Sequence, residues 1–134
     1  MNNIEHLGIA VQNLSVSIPL FEQLLSTPCY KQEEVTSEGV MTAFFQVGGS
    51  KIELLEGTHP DSPIAKFIAK KGPGMHHIAF EVENIEAEMK RLSALGFQLL
   101  QETPKLGADN KLVCFLHPKT TDGVLIELCQ ERKS

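Results

Sequence analysis

The chain has 134 residues, of which 42% are hydrophobic and 22% charged, a composition and length suited to one globular domain with a buried core. Its formal net charge of −5 argues against a nucleic-acid-binding surface, which is normally basic. No apolar stretch approaches the roughly 20 residues of a membrane span, and the first residues do not have the pattern of a secretion signal. We therefore expect a cytoplasmic protein with no nucleic-acid or membrane partner, in which Cys29, Cys114 and Cys129 are reduced.

The first half of the chain predicts one strand, one helix and three further strands. Alternating apolar residues predict the first strand over 4–11, with His6 on the side opposite the packing face. An apolar stripe at helical spacing predicts a helix around Pro19, a residue tolerated only near a helix start. Three further strands are predicted at 29–35, 41–47 and 51–56.

The connecting segment, residues 57–74, predicts one short helix. Ser62 is a suitable N-cap and Pro63 suits the first helical position. Gly72 follows Lys71 and is placed to end the helix.

The second half repeats the first. A strand is predicted over 77–82, and a helix follows with its apolar stripe at Ile85, Met89, Leu92 and Leu95, before Gly96. The last three strands are predicted at 97–103, 111–117 and 124–129.

The predicted fold class is α+β, with tandem β-α-β-β-β repeats that form a curved mixed sheet and carry their helices on the outside. We expect a single domain, 1–134, with repeat one at 3–56, the connecting helix within 57–74 and repeat two at 75–131.

The duplication also repeats a histidine and a glutamate. HLGIAVQNL at 6–14 matches HIAFEVENI at 77–85, and both IEL at 52–54 and IEL at 126–128 carry one acid inside an apolar run. The histidines are 71 residues apart and the glutamates 74. A carboxylate inside an apolar strand is costly to bury unless it is paired or binds a metal. We therefore interpret His6, Glu53, His77 and Glu127 as a metal site.

Two imidazoles and two carboxylates suit a divalent ion such as Co²⁺, Mn²⁺, Ni²⁺ or Zn²⁺. A six-coordinate ion with four protein ligands keeps two positions for a chelating substrate, and proton removal beside a carbonyl is the chemistry that this favours. Glu127 is a candidate acid or base, whereas Glu33, Glu34 and Glu38 are typical of a surface charge run. The other histidines are interpreted as structural: His59, His76 and His117.

Several longer blocks resemble the methylmalonyl-CoA epimerase family, which belongs to the vicinal oxygen chelate (glyoxalase-like) superfamily. These blocks are SPIAKFI at 62–68, GMHHIAF at 74–80, PKLG at 104–107, HPK at 117–119 and GVLIEL at 123–128. The resemblance covers roughly 3–131. It implies the vicinal oxygen chelate fold and an isomerase of propionate metabolism that interconverts (2R)- and (2S)-methylmalonyl-CoA by removing and returning the C2 proton through a metal-chelated enolate.

The resemblance also implies the ligands and partners. The family's metal ligands match His6, His77 and Glu127, and a fourth position that holds Gln or Glu in the family matches Glu53. We expect one ion per site, with Co²⁺ as the first choice, an acyl-CoA substrate and a homodimer. A proposed acidic base of the family falls on Thr42, so this chain departs from the family there.

Two features of the second half bear on the acyl-CoA substrate. Residues 108–110 replace a glycine-rich turn of the relatives. We place Lys105 and Lys119 near the CoA phosphates, although exposed turn lysines are an equally good interpretation.

Three alternatives remain open at this point. Lactoylglutathione lyase (glyoxalase I) shares the superfamily and a metal site of two histidines and two glutamates. A dioxygenase would use a triad of two histidines and one carboxylate with more open positions, which Glu53 disfavours. A metal-free small-molecule-binding protein of the same fold would not need four ligands.

Overall fold

The computed structural model describes residues 1–132, and its elements follow the order that the duplication predicts. In chain order they are β1 (Asn3–Ala10), α1 (Leu14–Leu25), β2 (Lys31–Val35), β3 (Val40–Val47), β4 (Ser50–Gly57), α2 (Pro63–Lys71), β5 (Gly74–Glu81), α3 (Ile85–Ala94), β6 (Lys105–Leu106), β7 (Lys111–Leu116) and β8 (Ile126–Glu131). Two β-α-β-β-β repeats with α2 between them confirm the predicted α+β fold class. No helix within the described part of the chain is long and apolar enough to cross a membrane.

One compact unit comprises residues 7–76. Its strands lie in the order β2-β3-β4-β1, and β3 is antiparallel to both β2 and β4. Ile52 and Leu54 pack with α1 in one apolar cluster, whereas Leu55 and Ala10 pack with α2 in another. The alternation of side chains along β4 therefore separates two packing layers.

The other compact unit comprises residues 1–6 together with the described residues from 77 to 132. Its strands lie in the order β1-β5-β8-β7-β6, with β5 parallel to β8 and β7 antiparallel to β8, so the pairing is mixed. The buried face of α3 packs against alternate residues of β7 and β8. This packing turns the other face of β8, which carries Glu127 and Cys129, away from α3.

The helix signals at the start and end of α2 are confirmed. The Ser62 side chain accepts a hydrogen bond from the Ala65 N–H, and Pro63 is the first helical residue. Gly72 follows the helix with a positive φ of 79°, and its N–H donates to the Ile68 carbonyl.

The strand predicted at 97–103 is wrong. Leu99 forms only an isolated bridge to Leu116, and the strand at this place in the repeat is the two-residue β6, which pairs with β7. The Phe115 N–H donates to the Gln101 side chain at 2.8 Å instead of to a backbone carbonyl. The Gln101 side chain therefore takes the place of a backbone carbonyl as the acceptor for Phe115, and regular pairing of 97–103 with β7 is interrupted.

Two helix details also differ from the sequence prediction. Pro19 lies inside α1, in its second turn, and not close to its start. It is exposed, so water can hydrate the backbone carbonyl that its missing N–H leaves without a helical partner. Leu95 is 65% exposed because α3 ends at Ala94, before the predicted apolar stripe is complete. The single domain stays a prediction.

Candidate metal centre

In the compact unit that contains residues 1–6 and 77–132, three strands bring two histidines and one glutamate close together. β1 carries His6, β5 carries His77, and β8 carries Glu127 in register with Ala79 of β5. All three side chains are buried, with relative exposures of 4%, 7% and 6% respectively. Three polar groups enclosed in this way need partners, because an unpaired buried polar group is costly.

The donor atoms of these residues form a tight triangle. His6 Nε2 lies 2.9 Å from His77 Nε2, and Glu127 Oε1 lies 3.2 Å from the first nitrogen and 2.9 Å from the second. The two imidazole planes are nearly perpendicular, at 88°. Three lone-pair donors therefore converge on one small volume.

This donor set fits a divalent cation. Atoms bound to one ion at about 2.1 Å and at right angles to one another lie about 3 Å apart, which matches the measured triangle. Nitrogen from imidazole and oxygen from carboxylate are ligands that Zn²⁺, Co²⁺, Ni²⁺ and Mn²⁺ accept. The arrangement of donor atoms is thus suited to hold an ion, and its three members belong to the set of four residues that the duplication predicts.

The charge of Glu127 is favoured by its neighbours. Burial alone would raise the pKa of this carboxyl, but the hydrogen bonds and charges of His6 and His77 outweigh it and hold the pKa below its usual range. The carboxylate form is the one that binds a cation.

Further contacts surround the triangle. The Cys129 thiol lies 3.2 Å from the other carboxylate oxygen of Glu127, Oε2. Phe115 is opposite Glu127 in the β7–β8 ladder, and its ring centroid lies 5.7 Å from that of His77. Cys129 follows Glu127 by two residues in β8, so strand alternation places both side chains on one face.

Glu5 was missed by the sequence analysis. Its Oε1 lies 2.7 Å from His6 Nδ1, and the Glu5 side chain is only 9% exposed. Successive strand residues point to opposite faces, so alternation gave no sign of a contact between neighbours. The only available signal was an acidic residue next to a proposed ligand.

Glu53 lies in the other unit, on β4, where it is opposite Phe44 in the β3–β4 ladder. It is buried, with a relative exposure of 4%. Its role as the fourth ligand stays a prediction. Thr42, the residue at the position of a proposed family base, is also buried in that unit and has no ionisable group.

The predicted substrate-binding lysines differ in their surroundings. Lys105 Nζ lies 5.6 Å from the centroid of the Phe115 ring, and the centroid of the His77 ring lies 5.7 Å from the same point. Lys119 is exposed in a 3₁₀ turn, Pro118–Thr120. Lys105 therefore contacts a ring that also packs against a member of the triangle, whereas Lys119 is on an exposed turn.

Two of the histidines interpreted as structural have structural contacts. The His76 ring packs against Phe67 of α2 at 4.9 Å, and His117 Nδ1 accepts a hydrogen bond from the Lys119 N–H. In the predicted surface charge run, Glu34 is exposed and Glu33 forms an ion pair with Lys31 at 3.5 Å.

Comparison with known proteins gives a family and close relatives. Residues 5–115 match the model of the glyoxalase/bleomycin resistance protein/dioxygenase superfamily. The chain is 39% identical to the mitochondrial methylmalonyl-CoA epimerase of Homo sapiens, over 97% of this chain and 74% of the relative.

Solved structures of epimerases have a fold very similar to that of this chain. The methylmalonyl-CoA epimerase of Mycobacterium tuberculosis gives a TM-score of 0.93 at 34% identity, over 97% of this chain and 88% of that one. A Streptomyces coelicolor methylmalonyl-CoA epimerase variant in complex with 2-nitronate-propionyl-CoA gives 0.93 at 32% identity, over 97% of both chains.

Proposed function

Because the chain belongs to the methylmalonyl-CoA epimerase family of isomerases, within the glyoxalase superfamily, we propose that it interconverts (2R)- and (2S)-methylmalonyl-CoA with a divalent metal ion. The observation that carries the metal-dependent part is the triangle of His6, His77 and Glu127 donor atoms, with edges of 2.9 to 3.2 Å. A Streptomyces relative was solved with an acyl-CoA analogue, which supports a CoA ester as substrate.

The proposed ligands are His6, His77 and Glu127, with Glu53 as the fourth. Glu53 is proposed because it occupies the place in the first repeat that Glu127 occupies in the second. When bound, a divalent ion would supply a Lewis acid that polarises the substrate carbonyl and makes the neighbouring C–H acidic. Co²⁺ is our first choice, with Mn²⁺, Ni²⁺ and Zn²⁺ as alternatives.

The protein must then move a proton at C2. Removing it gives an enolate of the substrate, and returning a proton to the opposite face gives the other epimer. If Glu127 takes part, we propose Oε2 as the atom that carries the proton, because Oε1 contacts both imidazoles whereas Oε2 contacts the Cys129 thiol. Thr42 cannot serve as a base at physiological pH, so the proton on the other face has to be carried by a different group.

We propose Lys105 and Lys119 as substrate-binding residues. The position of Lys105 Nζ over Phe115 favours contact with an anionic group of the substrate close to the metal ligands. Lys119, which is exposed, is the better of the two for a CoA phosphate. A homodimer in the cytoplasm completes the proposal, and the three cysteines, none of which forms a disulfide, suit that compartment.

The test is proton exchange at C2 in deuterated water. Metal-free protein is incubated with (2S)-methylmalonyl-CoA, alone and with Co²⁺, Mn²⁺, Ni²⁺ or Zn²⁺, and deuterium incorporation and epimer ratio are measured. We expect exchange and epimerisation to require an ion and to be lost in His77→Ala. The hemithioacetal of glutathione and methylglyoxal serves as the control substrate for lactoylglutathione lyase.

Two results would contradict the proposal. Exchange that is unchanged by chelation and by all four ions would remove the metal from the mechanism. Turnover of the control substrate without any exchange at C2 of methylmalonyl-CoA would favour lactoylglutathione lyase instead.

A further inference from the structure

The contacts of His6 extend beyond the triangle to a second layer of charged groups. While Nε2 faces His77 and Glu127, Nδ1 lies 2.7 Å from Glu5 Oε1. The other oxygen of Glu5, Oε2, lies 4.0 Å from Lys111 Nζ at the start of β7. One imidazole therefore has a carboxylate behind it, and that carboxylate has an ammonium group behind it.

We propose that Glu5 is a positioning residue for His6, and that Lys111 holds Glu5 in place. The inference rests on the proposed function, because it takes His6 as a metal ligand. In this proposal Glu5 is not itself a ligand of the ion. It acts through His6, by accepting a hydrogen bond from Nδ1–H and fixing the ring so that Nε2 faces His77 and Glu127.

A neutral imidazole has one protonated nitrogen, and the protonated nitrogen cannot bind a metal. A carboxylate 2.7 Å from Nδ1 favours the form with hydrogen on Nδ1 and leaves the Nε2 lone pair for the ion. The same contact opposes a flip of the ring, since a flip would direct a C–H at the carboxylate. Glu5 thus selects both the tautomer and the orientation.

The burial of these groups strengthens the effect. The side chains of Glu5, His6 and Lys111 are 9%, 5% and 12% exposed. A buried carboxylate is retained only with partners, and here the imidazole and the ammonium both serve. Cys129 faces the same neighbourhood, since its sulfur and ligand atoms of Glu5 and His6 all lie within 4.8 Å of one another.

The experiment measures Co²⁺ affinity in Glu5→Ala and Glu5→Gln, by competition with a chromophoric chelator. Glu5→Gln keeps an oxygen acceptor and nearly the same shape, so it tests the charge with little change in packing. Glu81 supplies matched controls, because it is a glutamate of β5 in the same unit and accepts a hydrogen bond from Asn3 at 2.7 Å. The controls are Glu81→Ala and Glu81→Gln.

We expect Glu5→Ala to bind Co²⁺ about 10- to 100-fold more weakly than the wild type, the usual loss when the outer partner of a ligating histidine is removed. Glu5→Gln should lose less, and the Glu81 variants less than about 2-fold. The visible absorption of bound Co²⁺ should change in the Glu5 variants and not in the controls, because only the former alter a ligand. The melting temperature of each metal-free variant is recorded to identify purely structural losses.

The outcomes separate this inference from the proposed function. If both Glu5 variants bind Co²⁺ with wild-type affinity and spectrum while His77→Ala does not bind it, Glu5 has no positioning role and the metal site stands. A wild-type protein that binds none of the four ions overturns both. If Glu5→Ala does not fold, Glu5→Gln alone decides: wild-type affinity and spectrum overturn the inference, and a weakened affinity with an altered spectrum supports it.

Discussion

Glu53 and Glu127 occupy the same place in the two repeats, and the local structure around them is partly the same. Each is buried in the fourth strand of its repeat and is paired with a phenylalanine on the preceding strand, Phe44 for Glu53 and Phe115 for Glu127. The duplication has therefore preserved the backbone register as well as the acid.

A lysine accompanies each phenylalanine. Lys31 Nζ lies 4.5 Å from the Phe44 ring centroid, and Lys105 Nζ lies 5.6 Å from that of Phe115. Each repeat thus supplies a cation on an aromatic ring beside a buried carboxylate, although β2 has five residues and β6 only two. The side-chain pattern has been kept while the strand that carries the lysine has changed.

The two repeats differ at the residue two positions after each glutamate. Cys129 is within 3.2 Å of Glu127 Oε2, whereas Leu55 packs against Ile64 in an apolar cluster. A thiol can donate a hydrogen bond to the carboxylate and a leucine cannot. The two repeats have therefore kept the strand position and register of each glutamate, whereas a residue on the same strand face has diverged from one repeat to the other.

The largest effect is expected from the histidines. His77→Ala removes one corner of the triangle, and we expect it to abolish metal binding and lower turnover by about 10³-fold or more, because the ion supplies several kcal/mol to the reaction. His76→Ala is the matched control, since its ring packs on Phe67 of α2. Metal content per chain and C2 exchange check both variants, and tight metal binding by His77→Ala would remove the proposed site.

The same conservative substitution, glutamate to glutamine, distinguishes the roles of Glu53 and Glu127. Glu127→Gln removes the charge that faces both imidazoles, and we expect metal affinity to fall by about 100-fold. Glu53→Gln should cost about 10-fold or less, because an amide oxygen can also ligate an ion. Titration of both variants with Co²⁺ measures the ratio. Equal losses would mean that the two carboxylates are equivalent ligands, contrary to the asymmetry of their surroundings.

The starts of the two repeat helices offer a comparison of stability. The Leu14 N–H of α1 donates to Glu56 Oε1 at 2.6 Å, and the Ile85 N–H of α3 donates to Gln130 Oε1 at 2.7 Å. Each acceptor comes three residues after the glutamate of its repeat. A charged acceptor at a helix N-terminus is stabilised further by the helix dipole.

We therefore expect Glu56→Ala to lower the free energy of unfolding by about 1–2 kcal/mol and Gln130→Ala by about 1 kcal/mol. Urea denaturation at low ionic strength measures both. The excess for Glu56→Ala should shrink at high salt, which screens the charge, and a salt-independent difference would contradict this explanation.

Much of this structure could be predicted from the sequence because the same order of strands and helix, with one histidine and one glutamate, occurs in both halves of the chain. The His6 and His77 positions and the strand position of Glu127 follow from alternation, and Ser62 and Gly72 mark α2 directly. These features depend on neighbours within a few residues, where local preferences and side-chain periodicity decide the structure.

The missed features depend on contacts between distant residues. The Gln101 side chain bonds the Phe115 N–H and interrupts the expected strand, and nothing in the local apolar pattern reveals such a substitution. The contact of Glu5 with Lys111 arises in the same way, because strand pairing brings together residues that are far apart in the chain. The contact of Glu5 with His6 joins neighbours, but strand alternation predicts that their side chains point to opposite faces. Sequence periodicity predicts the clustered His6, His77 and Glu127 better than the charged groups that surround them.

The smallest effect is expected at Thr42, where the repeats are again comparable. Thr42 pairs with Leu55 in the β3–β4 ladder, and Val113 pairs with Cys129 at the matching place in the β7–β8 ladder. The second repeat therefore already accommodates a valine there, buried at 3% exposure. Thr42→Val keeps the shape of the side chain and removes only the hydroxyl group.

We expect Thr42→Val to leave C2 exchange within about 2-fold of the wild type and to change the free energy of unfolding by about 1 kcal/mol, the usual value of one buried hydrogen-bonding group. Deuterium incorporation at saturating Co²⁺ and urea denaturation measure the two quantities. A loss of exchange above about 10-fold with metal affinity unchanged would show that the hydroxyl takes part in proton transfer. In that case Thr42 would act in proton transfer although it lacks the acidic group that the family resemblance implies there. The two repeats would then differ at this position in their contribution to the chemistry at C2, since Val113 at the matching place has no hydroxyl group.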